Sequence, residues 1–190
     1  MNYHILIVLP VFIVLPIWIL RMSTYSAKAI ANAFYDLGVA DGQFICPMKM
    51  QKLVYIAHGW SLGLLDEPLI REQIQAWKYG PVIKELYHEF KVYGNGNITK
   101  KATDIKLNKD TLEIDHDVPE IAETDDRTKQ LVRSVWNAYK QFSGGQLSNI
   151  THQQDTPWDL TYNGMRGVVV DNIIISEHYK KLARERAQPQ

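Results

Sequence analysis

Residues 50–65 read MQKLVYIAHGWSLGLL and are followed by the acidic turn 66–68 and by residues 74–81, IQAWKYGP. Together these segments hold two of the chain's five tryptophans and its densest run of aromatic residues. The first segment spaces its apolar residues as on one face of a helix. The second alternates apolar and polar residues, which is typical of a short strand. We therefore expect a core helix and a short extended segment around which the remaining chain is organised.

Polar residues and glycines give this helix two further features. Lys52, Tyr55 and His58 flank the apolar face at helical spacing. Gly59 and Gly63 lie four residues apart, and therefore on one side of the helix. Each glycine costs up to about 1 kcal/mol relative to alanine in a helix interior. We therefore expect the two glycines to let a second backbone approach closely.

Apolar periodicity predicts helices elsewhere in the chain. One is expected over residues 27–37 with Gly38 just beyond its end, and another over 128–142. Pro81 is expected at the first position of a helix that ends at Gly94. Shorter helices are expected to begin at three capping residues, and these are Ser143, Thr156 and Ser176.

Two stretches lack a clear helical pattern. Residues 98–125 are polar and are expected to form a surface excursion, with Leu107, Leu112 and Ile114 as isolated anchors. Residues 168–175 are β-branched and favour an extended segment. The predicted fold is therefore mainly α, a compact single-domain bundle of about six helices with two or three short strands.

The composition limits the partners, the compartment and the cofactors that are expected. The 190 residues suit one domain, and 21 Lys and Arg balance 21 Asp and Glu. A net charge of zero gives no attraction to nucleic acid, so no such partner is expected. The single cysteine, Cys46, cannot form an internal disulfide, which favours a reducing, cytoplasmic compartment. The sequence has neither zinc-ligand spacing nor a phosphate-binding loop, and no metal or cofactor is expected.

Residues 5–20 are an apolar run that contains two prolines. As a helix the run would span about 24 Å, whereas a membrane span needs roughly 20 residues. Three interpretations are open. Residues 1–21 are upstream of a true start at Met22, or they anchor the protein in the inner membrane with the domain in the cytoplasm, or they are a cleaved signal. We accordingly divide the chain into this segment, a domain over 22–183 and a polar tail over 184–190.

The sequence contains few candidates for catalysis. Cys46 precedes a helix and would need a histidine close in space to act as a nucleophile. His88 and Glu89 lie on a helix without a second histidine four residues away, so a surface pair is favoured over a metal site. The carboxylates are scattered and lie mostly in the excursion. The expected class is therefore a protein without enzymatic activity.

The string 49–60, KMQKLVYIAHGW, followed by residues 74–82, IQAWKYGPV, resembles the Panacea domain. This is the family of SocA-like and GepA-like proteins associated with phages and mobile elements. Leu86-Tyr-x-x-Phe90, Leu147-Ser-x-Ile-Thr-His152 and Pro157-Trp158 also look like its pattern. The resemblance covers roughly residues 23–182 and leaves out the apolar run.

The resemblance implies a helical, non-catalytic antitoxin of a type II toxin–antitoxin system. Such a protein neutralises a toxin encoded by an adjacent gene through direct protein–protein binding. One branch of the family acts instead as an adaptor that delivers its toxin to an ATP-dependent protease, which is the first alternative here. A membrane-anchored phage or mobile-element regulator is the second, and it depends on residues 5–20.

The predicted partner-binding residues combine aromatic and basic side chains, because large aromatic side chains dominate the energetics of many interfaces. They are Lys52, Tyr55, Trp77, Lys78 and Tyr79, with Gly80 and Pro81 fixing the turn. The same residues also suit a structural role in the core.

Overall fold

The computed structural model describes residues 24–107, 114–165 and 167–187. Its helices are α1 (Ala27–Ala40), α2 (Pro47–Leu65), α3 (Lys84–Phe90), α4 (Asp126–Tyr139), α5 (Gly144–Thr151), α6 (Pro157–Thr161) and α7 (Asn172–Ala187), with a 3-10 turn at Lys91–Tyr93. Its strands are β1 (Ile74–Trp77), β2 (Gly80–Ile83), β3 (Asp104–Leu107), β4 (Ile114–Asp117) and β5 (Val168–Val169). The predicted mainly α class with a few short strands is confirmed.

Two small antiparallel sheets accompany the helices. In the first the strand order is β2-β1-β5, and Trp77 of β1 lies opposite Gly80 of β2. In the second, β3 pairs with β4 so that Asp104 lies opposite Asp117. The β1–β2 hairpin packs on α2 through β2. All four residues of β2 are buried, whereas β1 buries every second residue.

Helix α2 occupies the centre of the fold. Pro47 is its first residue, and Asp66 ends it in a left-handed conformation. Residues 49–62 are buried on every side of the helix, including Lys52, Tyr55 and His58. The expectation that these three would flank a buried face was wrong, because neighbouring elements cover α2 all round.

Helix α7 packs closely against α2 at the two glycines. A Cβ atom at Gly59 would lie 2.1 Å from the ring of Tyr179, and one at Gly63 would lie 2.6 Å from its Cβ and 2.9 Å from its backbone carbonyl carbon. Real Cβ atoms do not approach other atoms so closely. The expected close approach of a second backbone is therefore confirmed, and the approaching element is α7.

The starts of two helices differ from the sequence prediction. Pro81 lies in strand β2, and α3 begins at Lys84 instead. Proline is tolerated there because β2 is an edge strand, where a missing N–H breaks no ladder. Helix α7 begins at Asn172, and Asp171 caps it by accepting a hydrogen bond from the backbone N–H of Ile173. Ser176 lies inside this helix and donates to the carbonyl of Leu62.

Other predicted boundaries hold in part. Ser143 caps α5 in a full capping box, and Thr156 caps α6. Gly38 lies inside α1, which continues to Ala40. Only residues 168 and 169 of the β-branched stretch form a strand. Helix α7 continues to Ala187, four residues beyond the predicted tail boundary.

The excursion after residue 98 contains the β3–β4 hairpin. Ile114 was expected to anchor it to the core, but its side chain is largely exposed. Leu112 and the side chain of Leu107 lie outside the described residues. The acidic run that follows supplies Asp125, which caps α4 by accepting from the N–H of Thr128.

The apolar run at residues 5–20 lies outside the described residues. Across the parts of the chain that the structure covers, no helix combines the length and the hydrophobicity needed to cross a bilayer.

Gly59→Ala tests the close packing of α7 against α2. The added methyl group would overlap the Tyr179 ring, and such overpacking typically costs about 1–3 kcal/mol. We expect a lower free energy of unfolding in chemical denaturation. Gly145→Ala is the matched control in α5, because a Cβ there has only the Ser143 hydroxyl within 4.0 Å. Equal stability of the two variants would contradict the close approach of α7.

Candidate protein-binding site

The β1–β2 turn lies at the end of the hairpin and contains Lys78 and Tyr79. Gly80 closes the turn with a φ angle of +102°, which favours glycine. A Cβ atom at Gly80 would lie 2.3 Å from Lys52 Nζ and 2.9 Å from the ring of His152. Glycine is therefore required here both for its backbone conformation and for space.

Lys52 reaches this turn from the centre of α2. Its Nζ donates to the carbonyl of Tyr79 at 2.8 Å and to that of Pro81 at 3.0 Å. The side chain is 1% exposed, and none of the described carboxylates pairs with it. Burial of this cation lowers the pKa of Lys52 to about 7. The two carbonyls thus compensate a charge that would otherwise be costly to bury.

Side chains from α5, from the residue after α5 and from α6 also contact carbonyls of the turn. The Trp158 indole Nε1 donates to Trp77 O at 2.7 Å, and the Ser148 hydroxyl donates to Tyr79 O at 3.2 Å. The Nε2 atom of His152 lies 3.4 Å from Lys78 O. The backbone of the turn is therefore held from three helices.

The outward side of the turn is aromatic. Tyr79 is 63% exposed, and the Lys78 ammonium lies 5.6 Å from its ring centroid. Trp77 is half-buried beside Tyr87, with ring centroids 4.9 Å apart. The rings of Trp158 and Tyr162 stack at 4.8 Å. We call these residues the turn surface, and its members are Trp77, Lys78, Tyr79, Trp158 and Tyr162. Lys78 and Tyr79 are exposed, and the other three are half-buried.

The seven predicted partner-binding residues divide into two groups. Lys52, Tyr55, Gly80 and Pro81 are buried, and Tyr55 packs edge-on against Tyr179. Burial also raises the pKa of the Tyr55 phenol. Trp77, Lys78 and Tyr79 reach the surface. A role in binding stays a prediction for all seven. Of the buried four, Lys52 holds the turn, Gly80 and Pro81 follow it in β2, and Tyr55 packs on α7.

Sequence reasoning did not assign Ser148, His152, Trp158 or Tyr162 to this site. In the sequence, residues 147–152 and 157–158 belong to predicted short helices and to the family resemblance, and neither places them at the turn. Because these residues are some seventy positions after the turn, periodicity could not bring them to it.

The polar side chains of the site contact the backbone of the turn and one another. Lys52 and Ser148 donate to the carbonyl of Tyr79, and the Ser148 hydroxyl lies 3.4 Å from His152 Nδ1. Cys46 precedes α2, half-buried. Within the ranges that the structure describes, no three His, Cys, Asp or Glu side chains are grouped closely enough to hold a metal ion.

Comparison with known proteins agrees with the sequence resemblance. The family model described as "Antitoxin SocA-like, Panacea domain" matches residues 50–159. Antitoxin SocA of Caulobacter vibrioides (strain NA1000 / CB15N) is 32% identical over 138 residues, which cover 73% of this chain and 71% of SocA. No solved structure matches. The chain belongs to the SocA-like Panacea family.

The part of the chain that matches the Panacea model begins in α2 and ends in α6. It includes every residue that holds the β1–β2 turn. Helices α1 and α7 lie outside the match, although both pack on α2. The turn and its supports are thus within the part of the fold that defines this Panacea protein.

Lys52→Met tests the buried cation. The unfolded lysine keeps its proton up to its ordinary pKa of 10.5, whereas the folded one releases it near 7. Between these values the unfolded state binds more protons, so the unfolding free energy of the wild type rises with pH. Relative to Lys52→Met it should rise by about 1 kcal/mol per pH unit from pH 7 to 9. Lys84→Met, which replaces an exposed lysine and keeps Lys52, should retain the pH dependence of the wild type. A difference in unfolding free energy between the wild type and Lys52→Met that does not change with pH would refute the lowered pKa.

Proposed function

We propose that this Panacea protein is the antitoxin of a type II toxin–antitoxin pair. It neutralises a toxin encoded by an adjacent gene through direct protein–protein binding, and the turn surface contacts the toxin. The observation that carries the proposal is membership in an antitoxin family, together with an exposed aromatic turn held rigidly inside the matched region.

The geometry of the turn surface suits protein recognition. Large aromatic side chains contribute much apolar area and lose little rotamer entropy on binding. Tyr79 and Lys78 project outward, while the carbonyls beneath them are bound by Lys52, Ser148 and Trp158. Because the backbone is ordered before binding, association costs less conformational entropy there.

Neutralisation on this proposal needs no catalysis by the antitoxin. A rigid surface inhibits by covering the toxin or by holding it in an inactive conformation. An interface of ordinary size, about 1,600 Å² in total, is sufficient when a few aromatic anchors are buried. The single cysteine is consistent with our placement of this step in the cytoplasm.

Growth rescue tests the function itself. The neighbouring gene product is expressed alone and then together with the full chain. We expect growth arrest in the first case and recovery in the second, with the two proteins eluting as one complex. A neighbour that is harmless in both cases, or one that arrests growth despite the full chain, would refute the proposal.

Tyr79→Ala and Lys78→Glu test the turn surface. Each should weaken toxin binding at least about tenfold, which is 1.4 kcal/mol, because interface energy is concentrated in a few central residues. Calorimetric titration measures the affinity, and thermal melting shows that the fold is retained. Phe44→Ala and Lys84→Glu are matched controls at exposed positions outside the turn surface. Rescue and affinity equal to the wild type in both turn variants would place the interface elsewhere.

A further inference from the structure

Three positions in the chain join an aspartate or an asparagine to a following glycine. They are Asp41-Gly42, Asn95-Gly96 and Asn163-Gly164. At such a pair the backbone nitrogen of the glycine can attack the side-chain carbonyl carbon, because glycine has no Cβ to hinder the approach. All three pairs are exposed to solvent. Local sequence and exposure therefore treat the three pairs alike, and their hydrogen bonds distinguish them.

Two of these pairs have a glycine nitrogen that is already hydrogen-bonded. The N–H of Gly42 donates to Val39 O at 3.1 Å, and the N–H of Gly96 donates to Tyr93 O at 2.7 Å. The carboxylate of Asp41 is held as well, because it accepts from an indole N–H of α4 at 2.9 Å. Attack requires the nitrogen to lose its proton and to turn towards the side chain. At both pairs a hydrogen bond must therefore break before the reaction begins.

The pair Asn163-Gly164 lies in the bend between α6 and β5 and lacks this protection. Within the described residues, nothing accepts a hydrogen bond from the N–H of Gly164. Beyond the neighbouring residues, no described atom lies within 4 Å of the position that a Cβ of Gly164 would take. The nitrogen is therefore available for attack and has room to reorient.

The side chain of Asn163 is polarised by its own hydrogen bond. Its Oδ1 accepts from the backbone N–H of Met165 at 3.1 Å. Negative charge develops on this oxygen when a nitrogen adds to Cγ, and a donor that is already in place stabilises that charge. The hydrogen bond thus makes the carbonyl carbon of Asn163 a better target for the nitrogen that follows it.

We propose that Asn163 is a site of spontaneous deamidation, a covalent change of thermolabile asparagines. Hydroxide removes the proton from Gly164 N, which forms a bond to Asn163 Cγ. The Cγ–Nδ2 bond breaks, and Nδ2 takes a proton from water and leaves as ammonia, which regenerates the hydroxide and closes a succinimide ring. A second water opens either C–N bond of the ring and leaves aspartate or isoaspartate at position 163.

The product changes the chain next to the turn surface. Residue 163 follows Tyr162, whose ring stacks on that of Trp158. Deamidation adds a negative charge to a chain with no net charge. Isoaspartate also lengthens the backbone between α6 and β5 by a methylene group. The change accumulates with the age of the molecule, and it does not depend on what the turn surface binds.

Peptide mapping by mass spectrometry tests the proposal on the full-length protein. The folded protein is aged in mildly alkaline and in mildly acidic buffer, and the converted fraction is measured at Asn163 and Asn95. Conversion at Asn163 should be at least about tenfold faster than at Asn95, because a hydrogen bond must first break at Gly96. It should also be faster in the alkaline buffer, since the attacking nitrogen must lose its proton.

Protein aged in guanidinium chloride is the control for local sequence. Both asparagines precede glycine, so without the folded structure they should convert at similar rates. Asn163→Gln should abolish the fast conversion, because its longer side chain would have to close a larger ring. Asn95→Gln, the matched variant at the other pair, should leave the conversion of Asn163 unchanged.

Three outcomes would overturn the proposal. The first is no conversion of Asn163 in the alkaline buffer. The second is conversion of Asn95 in the folded protein as fast as that of Asn163. The third is a ratio of the two rates that is the same in the folded and the denatured protein, which would assign the difference to local sequence.

Discussion

The fold depends on the need to satisfy polar side chains of a helix that is buried on every side. Gln51 of α2 exchanges two hydrogen bonds with the backbone of Ile83, at 2.9 and 3.0 Å, as a strand partner would. Ser61 donates to the carbonyl of Glu67. Leaving such a group unpaired in the interior costs about 1–3 kcal/mol. The polar residues of α2 therefore determine where neighbouring segments must lie.

His58 of α2 is buried, and both of its ring nitrogens have a hydrogen-bond partner. Its Nδ1 accepts from the N–H of Ile70 at 3.3 Å, so the ring proton is on Nε2, 3.0 Å from Asn172 Oδ1. One imidazole thus joins α2 to the loop before β1 and to the first turn of α7. A second proton would displace the Ile70 hydrogen bond, and burial also lowers the pKa of His58. The neutral tautomer with its proton on Nε2 is therefore the form of His58 that makes both hydrogen bonds.

The sequence predicted the elements better than it predicted their surroundings. Periodicity, capping residues and the paired glycines correctly indicated α2, α5, α6 and the approach of another backbone. Periodicity describes one helix at a time, so it could not show that α2 is covered all round and that Lys52 and Tyr55 are interior. Pro81 is compatible with a helix start and with an edge strand, and only the pairing with β1 decides between them. The supports from Ser148 and Trp158 arise from tertiary contacts that no local pattern encodes.

The two strings that carry the resemblance to the family lie largely in the interior of the fold. Every residue of the string 49–60 is buried, and in IQAWKYGP only Lys78 and Tyr79 are fully at the surface. In this chain the two strings therefore belong to a scaffold: a buried helix, a turn whose carbonyls are bound from three helices, and a glycine that has no room for a side chain. Exposed positions are free of these requirements, because their substitution leaves the internal hydrogen bonds in place. A substitution at an exposed position such as Tyr79 can therefore change the surface offered to a partner without removing the hydrogen bonds that hold the turn.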